Sequence, residues 1–269
     1  MITVRTYGDT GPPLFVLHGG PGAAGYMAPV ARKLSRDYRV FEPLQRRSGD
    51  IPLTVDQHIA DLHEVIKVHC PGERPALVGS SWGAMLALAS AAAHPGTFGP
   101  LVLIGSGTFT DESSAEFHRV LDSRAAPGVD DRIRAAAEAT DPDAALAAIA
   151  SDLDAPYSFD LLDSRSDNEW VDARGNRETN DDWSRRRTAG EFPASFAAIK
   201  QPVLMIHGAV DPHPGPMIRD SLLPVLPRLE YVELDRCGHY PWRERFARDR
   251  FYEVLRSWLA KHLPGTPAA

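Results

Sequence analysis

Cysteine is scarce in this chain: Cys70 and Cys237 are the only two among 269 residues. They lie far apart and show no Cys-x-x-Cys spacing, so the sequence carries neither a disulfide framework nor a thiol metal cluster. A reducing, cytoplasmic setting is the expectation that follows. Long apolar runs are missing as well. No stretch approaches the ~18 uninterrupted apolar residues that mark a membrane span. The opening Met1-Ile2-Thr3-Val4-Arg5 lacks the basic region and apolar run of a signal peptide. There is no basic excess either. A formal net charge of -7 lacks the cationic footprint that phosphate binding needs, which argues against a nucleic-acid partner. The ten histidines form no His-Glu-x-x-His cluster, so no metal and no other cofactor is expected. Internal repeats and low-complexity segments are also lacking.

What is present suits a large α/β domain. Hydrophobic residues make up 43% of the chain, enough for a sizeable core. Short apolar runs recur at Leu14–Leu17, Val40–Phe41, Ala76–Val78, Leu101–Ile104, Val203–Ile206 and Leu229–Val232. Each is a continuous rather than alternating run, as expected of parallel strands covered on both faces. Between them, Thr54–His69 repeats Ile59, Leu62, Val65 and Ile66 on one helical face, and Arg243–Leu263 repeats Phe246, Phe251, Leu255, Trp258 and Leu259. Ser81–His94 is Ala-rich and is expected to be the most buried helix. A mostly parallel central sheet flanked by helices is the fold class these patterns predict, with a frayed tail over Pro264–Ala269.

The alternation breaks between Ser106 and Ser195. Asp131–Ala150 reads as helix, Asp163–Arg187 reads as polar with turn residues, and no strand of the main sheet is evident there. We therefore divide the chain into a core, 1–105 and 196–269, and an insertion, 106–195. The insertion holds 20 acidic residues against 10 arginines, a net of -10, whereas the remainder nets +3. A lid of that charge would favour cationic or amine-bearing ligands; a solvated helical surface is the plainer reading.

The strongest chemical signal is Gly79-Ser80-Ser81-Trp82-Gly83, a G-x-S-x-G pentapeptide after an apolar strand and opening a helix. A nucleophile on so tight a turn occupies a strained backbone region, and glycines two residues to either side remove clashing β-carbons. Ser81, not Ser80, has glycine at both flanks. The helix N-terminus also directs N–H groups toward developing negative charge. His18-Gly19-Gly20-Pro21-Gly22 follows the strand ending at Leu17, and a Gly-rich turn there can supply an oxyanion-hole donor. Gly20 and Trp82 are the two donors we assign. Asp211 follows the strand Val203–Ile206, and His239 sits in Cys237-Gly238-His239-Tyr240-Pro241-Trp242. Ser81, Asp211 and His239 thus stand in the order expected of a nucleophile, an orienting carboxylate and a base. His18 and His207 read as structural histidines, His213 as a loop residue in a Pro-rich stretch rather than the base, and Cys237 as a small buried thiol.

With these motifs the chain resembles the α/β-hydrolase superfamily, and within it the proline iminopeptidase-like serine peptidases. The resemblance implies triad roles for Ser81, Asp211 and His239 and a mostly helical cap over 106–195. Two patches depart from the peptidase pattern. The family's Asp-x-Arg-Gly-x-Gly-x-Ser run is replaced by Glu42-Pro43-Leu44-Gln45-Arg46-Arg47-Ser48-Gly49, and its Arg-Tyr before the acid by Ala209-Val210. The expected activity is hydrolysis of a small ester or amide through an acyl-enzyme. The alternatives are a proline iminopeptidase-like aminopeptidase, a lyase or metal-free haloperoxidase-like activity on the same triad, and a non-catalytic ligand-binding protein. The expected partner is a small-molecule substrate, amine-bearing if the acidic insertion or one of its carboxylates (Glu169, Glu178 or Glu191) engages it. Phe109, Phe117, Tyr157, Phe159, Trp170, Trp183 and Phe192 are the aromatic residues available to line a pocket.

Overall fold

The apolar runs all become strands of one sheet. The computed structural model describes residues 2–125, 128–163 and 168–263; the tail 264–269, expected to fray, lies outside them. The strands are β1 (Val4–Tyr7), β2 (Pro13–Leu17), β3 (Ala23–Ala24), β4 (Arg39–Pro43), β5 (Ala76–Ser80), β6 (Leu101–Ile104), β7 (Trp170–Val171), β8 (Val203–Gly208) and β9 (Leu229–Leu234). The helices are α1 (Ala28–Leu34), α2 (Val55–His69), α3 (Trp82–Ala93), α4 (Asp111–Arg124), α5 (Val129–Ala136), α6 (Pro142–Tyr157), α7 (Ala173–Thr188), α8 (Gly215–Leu222) and α9 (Arg248–His262). Seven strands form a sheet in the order β1-β4-β2-β5-β6-β8-β9. Only β1 runs antiparallel to its neighbour.

Every residue of β2, β5, β6 and β8 is buried, which is why these strands read as unbroken apolar runs. Alternate side chains point to opposite faces and build two cores. Phe15, Leu17, Leu77, Leu101, Leu103 and Met205 pack under α2 and α3. Leu14, Val16, Val78, Val102, Leu204 and Ile206 pack under α1 and α9. The segment between β6 and β8 carries α4 to α7, and a third cluster there unites Leu121, Val129, Leu146 and Ile149. Its strand β7 pairs not with the main sheet but with β3, on the Gly-rich loop.

Trp82 through Ala91 of α3 are all buried, as the Ala-rich stretch predicts. Asp163–Arg187, expected to be polar with turns, instead contains the 16-residue α7. Asp172 caps it by accepting from Gly175 N at 2.9 Å, and its charged face hides the helix from an apolar-periodicity argument. The last helix begins at Arg248 rather than Arg243, because Pro241–Arg243 form a single 3-10 turn. No helix among the described residues is long and apolar enough to cross a membrane.

Candidate active site

β5 ends at Ser80 and α3 begins at Trp82, leaving Ser81 alone on the turn with φ 55° and ψ -123°. Among the described residues only Ser81 and Arg236 combine a side chain with positive φ, a conformation that costs on the order of 1–3 kcal/mol. The flanking glycines explain how the turn closes. A β-carbon on Gly79 would lie 2.2 Å from Gly83 O, and one on Gly83 would lie 2.1 Å from Leu17 O. The glycines therefore let the start of α3 press against β5 and the end of β2. Ser81 N–H donates to Ile104 O at 2.8 Å. Ser81 is half-buried, whereas Ser80 is fully buried and accepts from the Tyr26 hydroxyl at 3.3 Å.

The loops after β8 and β9 bring Asp211 and His239 into contact. His239 Nδ1 donates to Asp211 Oδ2 at 2.7 Å, and both residues are buried. Asp211 Oδ1 accepts twice from His213, from the backbone N–H and from Nδ1–H, each at 2.9 Å. The first of these closes an Asx-turn. Burial alone would push the Asp211 carboxyl up. The imidazoles of His239, His213 and His207, with the His213 hydrogen bond, outweigh it and hold this carboxyl well below the usual carboxylate range. Ser81 and His239 flank Gly105: a β-carbon there would lie 3.0 Å from His239 Nδ1, while Ser81 bonds the preceding Ile104. Among the described residues no hydrogen bond joins the Ser81 hydroxyl to His239, so this third contact is not made here.

The Gly-rich loop sits beside the elbow. Gly20 has φ 46°, and a β-carbon on Gly19 would lie 2.5 Å from Ser81 Cβ. His18 is fully buried and its ring is pushed down to about 4 by desolvation, so it stands neutral as a brace rather than a base. The loop is also tied to the segment beyond β6: Asp172 N–H donates to Gly22 O at 2.7 Å and Asn176 Nδ2–H to Pro21 O at 2.9 Å.

Sequence reasoning passed over three residues of this neighbourhood. His213, expected to be only a residue of a Pro-rich loop, engages Asp211; the Asp-x-His spacing is the available signal. Gln45 and Tyr26 carry no motif at all and emerge only from contacts described below. Asp211, His213 and His239 also form the one grouping of potential metal-ligand atoms among the described residues, within 4.8 Å of one another. Both Nδ1 atoms are already hydrogen-bond donors to the carboxylate, an arrangement that orients imidazoles. Cys237 is buried and its thiol pushed up by desolvation. Asp111 pairs with Arg187 at 3.2 Å and stands exposed.

The three candidate amine-binding carboxylates all have partners. Glu169 pairs with Arg5, and Glu178 accepts from Arg174 Nε at 2.6 Å and Leu53 N at 2.7 Å. Glu191 accepts from Arg186 Nε at 2.7 Å. Of the aromatic residues, Phe109, Trp183 and Phe192 pack into the core, with Trp183 and Phe192 stacked at 4.2 Å. Phe159 is exposed against Phe246, and Trp170 faces His18. Phe117 stacks on His213 at 4.2 Å, and Tyr157 meets His239 edge-on at 5.2 Å.

Known proteins bear on this geometry. A Streptomyces coelicolor chain described as a probable proline iminopeptidase is 35% identical over 129 residues, covering 41% of this chain. The match spans only 38% of that relative's length. An esterase from Thermogutta terrifontis has TM-score 0.65 at 21% identity, covering 97% of this chain and 93% of its own. The enol-lactonase from Burkholderia xenovorans LB400 has TM-score 0.65 at 20% identity, covering 96% of each chain. At such identities these two likenesses speak for the fold. The model of the alpha/beta hydrolase family matches residues 14–254, nearly the whole chain, and the chain therefore belongs to the alpha/beta hydrolase family and is an enzyme of that hydrolase type.

Proposed function

We propose that this hydrolase is a serine esterase that cleaves a small neutral ester through an acyl-enzyme on Ser81. Ser81 attacks the ester carbonyl while His239, oriented by Asp211, takes its proton. The Gly20 and Trp82 N–H groups hold the oxyanion, and His239 then protonates the departing alcohol. Water, activated by the same imidazole, releases the acid. Residues 106–195 act as a cap, with Phe117 and Tyr157 closing over the His213–His239 side.

The observation that carries this reading is the strained Ser81 turn, with φ 55°, beside a buried Asp211–His239 pair at 2.7 Å. The missing Ser81–His239 contact fits a resting site, since such bonds often tighten only with substrate. Ester is preferred over aminoacyl amide because Glu169, Glu178 and Glu191 are each engaged by an arginine. An aminopeptidase remains the second reading, favoured by the 129-residue likeness. A panel of p-nitrophenyl esters, amine-bearing and neutral, run beside prolyl and other aminoacyl naphthylamides, decides between them. We expect ester turnover, no advantage for the amine-bearing esters at low salt, and fluorophosphonate labelling that Ser81→Ala abolishes. Turnover of the prolyl amide alone would reverse the preference, and labelling at Ser80 or Cys237 would refute the mechanism.

A further inference from the structure

An oxyanion hole acts only if its donors are aimed before the reaction begins. Here one donor belongs to the Gly-rich loop and the other to the first residue of α3, and the peptide planes around Gly20 are held by side chains rather than by a strand partner. The His18–Gly19 peptide is gripped at both ends. Its carbonyl accepts from Gln45 Nε2 at 2.8 Å, and its N–H, on Gly19, donates to the Tyr26 hydroxyl at 2.7 Å. The next peptide, Gly19–Gly20, carries the proposed donor. Its carbonyl lies 3.2 Å from His18 Nδ1. That nitrogen must be the protonated one, because Gln45 N–H donates to His18 Nε2 at 3.0 Å and leaves the ring no other tautomer. With the carbonyl tied down, the Gly20 N–H faces the opposite way.

Gln45 has one more contact. Its Oε1 accepts from the Trp82 indole at 2.8 Å, so one side chain touches both the Gly-rich loop and the start of α3. It is buried and uncharged, and it needs both halves of its amide. A carboxylate would meet the His18 carbonyl with repulsion, and an apolar chain would leave a buried indole N–H and a carbonyl unpaired. The Tyr26 phenol is pushed up to about 12 by burial, so it keeps the proton it shares with Ser80. A β-carbon on Gly19 would fall 2.4 Å from the Tyr26 oxygen and 2.5 Å from Ser81 Cβ, so Gly19 is the spacer between the phenol and the nucleophile.

We infer that Gln45 and Tyr26 are positioning residues: they fix the peptide planes that aim the Gly20 N–H, and Gln45 also sets the spacing of that donor from Trp82. Both act through the backbone they hold. The inference rests on the acyl-enzyme reading above. Gln45 lies within the run Glu42–Gly49 that stands where the peptidase pattern has its Gly-rich sequence.

The test uses the full chain and two variants, Tyr26→Phe, which removes one oxygen, and Gln45→Met, which keeps the shape. For each, kcat and KM are measured on the best p-nitrophenyl ester, with the Ki of butylboronic acid, whose tetrahedral adduct places an oxygen in the oxyanion position. A misaimed donor should lower kcat by about tenfold or more, short of the 10²–10³ for outright loss of a donor. KM should hold within about twofold, and the boronate Ki should rise in proportion to the fall in kcat/KM. A purely structural role would lower the melting temperature and leave the boronate Ki unmoved, which overturns the inference, as does wild-type behaviour in both variants. If Gln45→Met does not fold, Tyr26→Phe decides alone. Ser81→Ala separates the two levels: turnover within about tenfold of wild type there means the acyl-enzyme reading has failed, whereas a fall of about 10⁴-fold or more leaves that reading standing.

Discussion

Replacing Asp211 by asparagine exchanges one carboxylate oxygen for an NH2 group, and the surroundings dictate which one. Oδ1 faces two donors, the His213 backbone N–H and the His213 Nδ1–H, both at 2.9 Å. The first of these cannot reverse its polarity. Oδ2 accepts one hydrogen bond, from His239 Nδ1–H at 2.7 Å, on a ring that can move its proton, while His207 Nε2, 3.4 Å away, bonds the His213 carbonyl instead. The asparagine carbonyl is therefore forced toward His213 and its NH2 toward His239. That imidazole then carries its proton on Nε2 and cannot accept one from Ser81. We expect kcat to fall roughly 10⁴-fold, the scale for a triad base held in the wrong tautomer, equivalent to about 5 kcal/mol. KM should change little and the protein should stay folded, because all three hydrogen bonds can still form. Ester turnover, fluorophosphonate labelling rate and thermal melting measure the three claims. Retention of more than about a tenth of wild-type kcat would refute the reasoning and move the carboxylate role to another residue.

Three further outcomes follow from burial and packing. Gly83→Ala should destabilise the fold by about 2–3 kcal/mol in urea titrations, because its β-carbon would meet Leu17 O at 2.1 Å and strand backbone cannot move aside; an unchanged midpoint would contradict the contact. Glu244, fully buried, accepts from Phe159 N at 2.8 Å, Asp160 N at 2.8 Å and Gly238 N at 2.9 Å, so Glu244→Gln turns one acceptor into a donor facing N–H. A loss of about 2 kcal/mol, with faster hydrogen exchange around Gly238, is the expected result. His18 and His58 are pushed down to about 4 by burial, so between pH 6.5 and 4 the unfolded chain binds protons that the folded chain refuses. Stability should hold above about pH 6.5 and fall as pH drops toward 4, with a slope approaching two protons from this pair; a flat profile between pH 7 and 5 would show that these rings are not neutral and buried.

Much of the fold was legible because its strands advertise themselves in one dimension. β2, β5, β6 and β8 are buried on both faces, so each reads as a short continuous apolar run, and α3, equally buried, is set apart by its length and its alanines. What escaped reading has a physical reason in each case. β1 is an antiparallel edge strand, half-wetted along its length, and α7 carries so many charged residues that its helicity rests on the Asp172 cap and on side-chain pairs such as Arg174–Glu178 at 2.6 Å. The helix expected from Arg243 starts late because Pro241 opens a 3-10 turn and Glu244 is spent on backbone donors of a distant loop.

The candidate site divides along the same line. The Ser81 turn was legible because its positive-φ backbone closes only between flanking glycines, and glycine leaves a mark in sequence at fixed offsets. Asp211 and His239 were legible by order and by their place after late strands. Gln45 and Tyr26 left no such mark, because their contacts depend on a donor or acceptor supplied by another loop, whereas His213 was marked only by its Asp-x-His spacing from Asp211. Gln45 stands 27 residues from His18 and 37 from Trp82, and nothing about a glutamine says that its amide will be divided between a loop and the start of a helix. A motif records constraints that act within a few bonds of the reacting atom. The residues that aim the motif answer to contacts closed only by the folded sheet, where Gln45, on the loop leaving β4, reaches the ends of β2 and β5.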